Sequence, residues 1–292
     1  MESMEWRSGS LLCVIVETSP VWWGKVLEGW GGDGRVAIRR CLDAIAAFCA
    51  AHLLRNGANR LLLLSAAAYH QKDPILYQDD PSTSSTSEVG QVVQELLKSA
   101  LQEAVEKEEA DKSESRLAGP LALALCYINR LAKQVKLSNN RLLIVKVSDD
   151  TNSQHLNLMN LFFAAHKQGV SVSSVVLHGE SGVLQQAADQ TGGVYQWVRR
   201  AEELMGTLFT QLLAVSGTLR QGRGEDVDCR PACFCHHKLI SLGWVCSVCL
   251  SVFCNFTPIC PTCQAAFKFL MPTSLLKKRK KKPAPESAKA AQ

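Results

Sequence analysis

An α/β fold, with a mostly parallel sheet covered by helices on both faces, is predicted for residues 1–215, and a small cysteine-built module is predicted after it. Three observations carry this reading. Short apolar runs rich in branched side chains alternate with stretches that are apolar at helical spacing, the pattern of strands buried on both faces between helices. Apolar residues make up 47% of 292, enough for one full core. Eight of the twelve cysteines fall between Cys229 and Cys263, where a fold of some forty residues has little core of its own.

The elements follow in order. Leu11–Val16 is short, apolar and partly β-branched, hence a buried strand. A glycine-bearing loop (GWGGDG) comes next. Residues 35–55 place Val36, Ala37, Cys41, Ile45, Phe48 and Leu53 close to helical spacing, with Gly57 as the stop. Leu61–Ala66 is a second strand and Pro74–Tyr77 a candidate third. Residues 78–87 are polar and serine-rich, a surface loop. Residues 88–110 carry strong helix formers. Residues 117–136 give the clearest amphipathic helix: Leu117, Leu121, Leu125, Ile128, Leu131 and Val135 are spaced by four, four, three, three and four. Strands are expected at Arg141–Val147, Val170–Leu177 and Val194–Val198. Helices are expected at 154–168, 181–190 and 201–214, with Gly169 and Gly192-Gly193 as stops. Residues 216–228 read as a linker, 229–271 as the cysteine module and 272–292 as a disordered basic tail.

Cys246-Ser-Val-Cys249 and Cys260-Pro-Thr-Cys263 are two tight pairs with ten residues between them. Each Cys-x-x-Cys turn supplies two thiolates, so the expectation is one tetrahedral zinc held by Cys246, Cys249, Cys260 and Cys263, a closed structural site. The competing reading, ordinary buried cysteines, fits this density poorly. Cys229, Cys233, Cys235, His236 and Cys254 remain, and a second zinc could take four of them. The set Cys233, Cys235, His236 and Cys254 is the candidate, with Cys254 lying between the halves of the first site. Against it, Cys233, Cys235 and Cys254 could pack as small apolar groups. His237 reads as a surface or neighbouring residue rather than a ligand. Phe234, Trp244, Phe253, Phe256 and Phe267 would pack around the metal or face a partner. Cys13, Cys41, Cys49 and Cys126 lie on apolar strands or helix faces and are assigned to core packing.

No run of about 18 uncharged apolar residues is present, so no membrane span is expected. The N-terminus is a poor export signal, which favours a reducing compartment and metal over disulfides. The net charge is +5, yet Lys277, Lys278, Arg279, Lys280, Lys281 and Lys282 alone carry +6. Residues 1–219 hold 20 basic and 23 acidic side chains, so the larger domain is no electrostatic platform for nucleic acid. The tail run admits three readings that the residues do not separate: a nuclear import signal, a weak phosphate contact, or a solvated end.

Several pieces together are more specific than the pattern: SPVWWGK (Ser19–Lys25), LAGPLALALCYINR (Leu117–Arg130), QQAADQTGGVY (Gln185–Tyr195) and the block from Ala232 to Cys263. Over nearly its whole length the chain resembles the smaller von Willebrand A-type subunits of the transcription and DNA repair factor TFIIH. The resemblance implies a doubly wound von Willebrand A fold, a C-terminal four-cysteine zinc module, a nuclear location and no catalysis of its own. It implies partners among the other TFIIH subunits, chiefly the larger von Willebrand A subunit. That complex opens DNA at promoters and around lesions in nucleotide excision repair.

Von Willebrand A domains often hold Mg²⁺ through Asp-x-Ser-x-Ser after the first strand, with a Thr and an Asp from later loops; hard oxygen ligands suit that ion. Here Glu17-Thr18-Ser19-Pro20-Val21 stands there, with Glu for Asp and no hydroxyl at Val21. Ser115-Arg116 brings a guanidinium near the Thr position, while Asp149 and Asp150 follow a strand as an acidic ligand would. The expectation is no functional cation, with the two aspartates in a solvated turn of helix-start character. Trp22 and Trp23 are read as extended, one ring buried and the other a candidate partner anchor, or both packed on the fold. Gly31-Gly32-Asp33-Gly34 lacks the ending of a phosphate loop, and no Gly-x-Ser-x-Gly is present.

The functional expectation is therefore a non-catalytic scaffold subunit, with no small-molecule substrate and DNA contact at most weak or indirect. A RING-type ubiquitin ligase is the first alternative, but a Cys-x-His-x-x-Cys centre cannot be placed. Direct DNA binding through the module and tail is the second, and the module's few basic residues (Arg230, Lys238, Lys268) argue against it.

Overall fold

Alternate residues of the central strands enter two different cores, which is why those strands read as unbroken apolar runs. In β1 (Ser10–Glu17), Leu12, Val14 and Val16 belong to one buried cluster, and Leu11, Cys13 and Ile15 to the other. β2 (Arg60–Ala66) divides the same way, Leu61 and Leu63 against Leu62, Leu64 and Ala66. So does β4 (Asn139–Lys146), with Leu143 and Val145 against Leu142 and Ile144. The period of two is the pleat itself. The structure, a computed structural model, describes residues 9–69, 73–79, 88–107, 116–135, 137, 139–150, 154–213, 230–231, 233–236, 238–249 and 251–266.

With β3 (Ile75–Gln78), β5 (Ser171–Val176) and β6 (Tyr195–Trp197), the sheet has the order β3-β2-β1-β4-β5-β6. All neighbours are parallel except the antiparallel edge pair β2–β3, whose register shifts between Leu63 and Leu64. One face is covered by α1 (Pro20–Trp30), α2 (Gly34–Arg55), α3 (Val89–Lys107) and α7 (Ala201–Thr207) with its π-helical continuation Leu208–Leu213. The other is covered by α4 (Ala118–Gln134), α5 (His155–Lys167) and α6 (Gly182–Thr191). This is a doubly wound α/β architecture, the mostly parallel sheet with helices on both faces that the sequence predicts. The order reverses between β1 and β4, the crevice where open sheets of this kind place ligands.

The main correction is α1. Residues from Pro20 were expected to be extended or looped, but Pro20 opens a helix as its first residue and fixes φ for it. Trp23 and Val26 are buried on that helix, and Trp22 and Trp30 pack partly against the same core. The two tryptophans thus separate by helical rotation rather than by strand alternation. Gly31-Gly32-Asp33-Gly34 is the α1–α2 junction: Gly31 and Gly32 have φ of 69° and 84°, and the Asp33 carboxylate caps α2 by accepting the Arg35 N–H at 3.0 Å. α2 ends at Arg55 as the spacing requires, with Asn56 rather than Gly57 as its cap, the Asn56 side chain accepting from the Ala58 N–H. Val36 is exposed at the first turn of α2 rather than on its apolar face. Cys13, Cys41 and Cys49 are core residues as expected, whereas Cys126 is exposed.

At the N-terminal ends of the strands lies a buried polar knot. His52, fully buried, places Nε2 3.2 Å from the Arg60 carbonyl, and its Nδ1 receives the Arg141 guanidinium at 3.3 Å. A guanidinium only donates, so Nδ1 is the acceptor and the ring is the neutral Nε2–H tautomer. Arg141 also donates to the Leu212 carbonyl at 2.9 Å and Arg55 to the Leu213 carbonyl at 2.7 Å. Two cations therefore close the C-terminus of the last helix.

The chain divides into two compact units, Met1–Ala232 with His237–Leu239, and Cys233–His236 with Ile240–Gln292. The expected linker 216–228 and tail 272–292 lie outside the described residues, as do Cys229, His237, Phe267, Lys268, Ser115 and residues 80–87 of the serine-rich loop. No helix among the described residues is long and apolar enough to cross a membrane.

Candidate metal centres

The smaller unit is built from two turns of one design. β7 (Trp244–Val245) pairs antiparallel with β8 (Val252–Phe253), and between them the Cys246 N–H donates to the Ser251 carbonyl at 2.9 Å. At the second pair, Ile259 bridges Ala266 and the Cys260 N–H donates to the Ala265 carbonyl at 2.9 Å. The offsets are identical: the first cysteine bonds five residues on, and the residues flanking the turn pair across it. Each turn presents two sulfurs on one side, and Gln264 accepts a positive φ of 59° to close the second.

These turns bring Cys246, Cys249, Cys260 and Cys263 together, their sulfurs all within 4.8 Å of one another. Sγ of Cys246 is 3.6 Å from that of Cys263, and Sγ of Cys249 is 3.6 Å from that of Cys260. A tetrahedron with bonds near 2.3 Å has edges of roughly 3.8 Å, so the set fits zinc. Cys246 and Cys260 are fully buried, with Phe253 beside them and Phe234 packed on the cluster. The Ser251 hydroxyl, 3.1 Å from Sγ of Cys249, and the Ser251 backbone N–H pull that thiol down to about 6, towards the thiolate a metal needs. Sequence reasoning missed Ser251, since a serine two residues past a cysteine carries no distinctive spacing.

Cys233, Cys235, His236 and Cys254 form the second set, with ligand atoms also within 4.8 Å of one another. Cys254 Sγ lies 3.3 Å from Cys235 Sγ and 3.2 Å from His236 Nδ1. The hydrogen bond to Cys235, then burial and the Cys235 charge, push the Cys254 thiol up to about 11. Of the packing alternative, only Cys233 is buried; Cys235 and His236 are exposed. Trp244 and Phe256 stack edge-to-face at 5.2 Å with Trp244 exposed, so they do not enclose a metal.

The mouth of β1 is arranged differently. Glu17 is 2% exposed, and its Oε2 accepts the N–H groups of Val147 and Ser148 at 2.7 and 2.9 Å. Its Oε1 is buried with no hydrogen-bond partner among the described residues, where those two N–H groups carry the offset for burying the carboxylate. Thr18 turns its hydroxyl to the Ala66 carbonyl, and Trp23 Nε1 donates to the Glu17 carbonyl at 2.9 Å. Asp150 is not in a solvated turn. It accepts from Lys146 Nζ at 3.0 Å, the Ser181 hydroxyl at 2.5 Å and the Val183 N–H at 3.3 Å. It thus serves the start of α6, three elements on from β4. Asp149 is exposed, with Oδ1 3.8 Å from His178 Nε2. The Arg116 N–H donates to the Ala67 carbonyl. Neither metal-capable set among the described residues includes Glu17, Asp149 or Asp150.

Comparison with known proteins places this arrangement among relatives. The family described as "Transcription factor Tfb4" matches residues 9–264, which include both cysteine sets. The Schizosaccharomyces pombe protein named "General transcription and DNA repair factor IIH subunit tfb4" is 30% identical over 275 residues, 88% of this chain and 89% of its own. The Arabidopsis thaliana protein of the corresponding name is 31% identical over 277 residues, with the same coverage of 88% and 89%. Among solved structures, "Crystal Structure of the TFIIH p34 N-terminal Domain" superposes with a TM-score of 0.58 at 21% identity, covering 70% of this chain and 97% of that one. At that identity the likeness concerns the fold.

Proposed function

The chain belongs to the Tfb4 transcription factor family, and on that premise we propose that it is a non-catalytic structural subunit of the general transcription and DNA repair factor IIH. The carrying observation is the family match across residues 9–264, which takes in the sheet and the module alike. The relatives' names supply the complex; the chemistry of the sites supplies the non-catalytic role. Cys246, Cys249, Cys260 and Cys263 hold zinc as four protein ligands, leaving no open position for water or substrate. When bound, zinc supplies folding energy to a unit whose buried apolar cluster consists of Cys246, Phe253 and Cys260. The mouth of β1 holds no Mg²⁺, because Glu17 is committed to backbone N–H groups and Asp150 to Lys146 and α6.

The protein works in the nucleus through contacts with other subunits of the factor, chiefly the larger von Willebrand A subunit. Exposed apolar side chains on the module, Leu242, Trp244, Val245, Val248 and Ile259, are the kind of surface such contacts cover. DNA is touched weakly or indirectly. The test is purification of the tagged full chain from nuclear extract with identification of what accompanies it. Recovery of the other factor subunits in stoichiometric amounts is expected. Recovery of the chain alone, or robust ubiquitin-chain synthesis by the purified protein, overturns the reading.

A further inference from the structure

We propose that Cys233, Cys235, His236 and Cys254 hold a second zinc ion, and that the two sites are laced together so that this one fills only on a module already ordered by the first. The inference rests on the zinc reading of the Cys246, Cys249, Cys260 and Cys263 set. The donors are three thiolates and an imidazole, a closed set for zinc. With zinc–sulfur bonds near 2.3 Å and zinc–nitrogen bonds near 2.0–2.1 Å, the tetrahedral edges are roughly 3.6–3.8 Å. The observed 3.3 Å between sulfurs and 3.2 Å from Nδ1 to sulfur need only a slight expansion. Core packing does not account for the cluster. An exposed imidazole and an exposed thiol converge on a half-buried one, a gathering that removes little apolar surface from water.

The lacing is in the chain order. Three donors of the second set precede Cys246 and Cys249; the fourth, Cys254, sits in the connection between the two turns of the first. Cys254 directly follows β8, and β8 is held by β7 across the first turn. The other three donors are tied to the same strand. The Phe234 N–H donates to the Val252 carbonyl at 2.8 Å, and the Phe234 ring lies 6.3 Å from that of Phe253. Both halves of the second site therefore hang on a hairpin that the first zinc closes. Without that hairpin, Cys254 has no fixed position relative to Cys235 and His236. The exposure of Cys235 and His236, against full burial of Cys246 and Cys260, also makes the second site the one a chelator reaches first.

The experiment counts zinc in the full chain by elemental analysis and native mass spectrometry, with cobalt substitution to read donor type from the visible bands. The wild type should hold two ions per chain. Cys254→Ser and His236→Ala should each hold one, with the cobalt spectrum of a four-thiolate site. Cys246→Ser should lose both. One zinc in the wild type, retained by Cys254→Ser, overturns the second site and leaves the first standing. No zinc in the wild type sinks the zinc reading itself. Retention of one ion with a three-thiolate, one-nitrogen cobalt spectrum in Cys246→Ser refutes the lacing.

Discussion

Glu17 sits buried at the mouth of β1, where its carboxylate is the acceptor for the chain leaving β4. It ties the end of β1 to the end of β4 through two backbone N–H groups. Hydrogen bonds to a charged acceptor are worth about 1.5–3 kcal/mol each, and removing the acceptor leaves buried N–H groups unmet. Glu17→Ala should therefore lower stability by about 3 kcal/mol in urea unfolding. Glu17→Asp should lose much of the same, since one methylene less withdraws the carboxylate, and added Mg²⁺ should not restore it. His52 gives a second residue-scale expectation. Burial, then the Arg141 charge, pushes its imidazole down from 6.5 to about 4. The unfolded chain then binds a proton the folded one refuses, so the contribution is full above pH 6.5 and is lost as pH falls towards 4. The loss amounts to roughly 3 kcal/mol at pH 4. Comparing wild type with His52→Gln isolates it: the variant should show a shallower fall in stability between pH 6.5 and 4. Little of this was legible in the sequence. The departure from Asp-x-Ser-x-Ser could be read from Glu17 and Val21, but both partners of Glu17 and two of the three partners of Asp150 lie more than thirty residues away, and no local spacing announces them.

Elements were the most legible level, because each central strand is buried on both faces and each long helix carries a stripe. α4 shows both the success and its limit. Leu121, Leu125 and Ile128 are buried as the spacing requires, yet Cys126 is one step of about 100° off that stripe and faces out. α1 was missed because Gly24, Gly29 and the glycines after Trp30 read as loop. Its signal was present all the same: Pro20 as a first residue, then Trp23, Val26 and Trp30 at intervals of three and four. Gly192-Gly193 was expected only to stop a helix, but its two members have separate tasks. Gly192 takes φ of 68° at the end of α6, while a Cβ on Gly193 would stand 1.9 Å from the Val172 carbonyl oxygen. Gly193→Ala has to push β5 and the chain entering β6 apart. A loss of about 2–3 kcal/mol is expected by chemical denaturation. Gly192→Ala should cost only about 1 kcal/mol, the ordinary penalty for a left-handed residue.

At the scale of the molecule, the two units rest on different physics. Among the described residues, the larger has two extensive apolar clusters, and the smaller has a buried cluster of three, two of them cysteines. Chelation should therefore abolish hydrogen-exchange protection in residues 244–266 while protection of the central strands β1, β2 and β4 stays within about twofold. Loss of protection throughout would show that the larger core depends on the metal. The module was legible most sharply where cysteines come in pairs, since Cys246, Cys249, Cys260 and Cys263 announce each other; Cys254 could be grouped with Cys233, Cys235 and His236 only as what remained, and the fold brings those four together.

The interleaved order of donors also bears on synthesis. A ribosome adds residues in sequence, and all four donors of the mixed set have joined the chain nine residues before Cys263. At that moment the nascent segment carries a full complement for one ion and half of the complement for another, but no closed hairpin to tell them apart. Wrong pairings compete until Cys260 and Cys263 are both available, so faithful metal loading waits on the second half of the four-thiolate site. A chain truncated between Cys254 and Cys260 should hold zinc that exchanges freely, and the full chain should not.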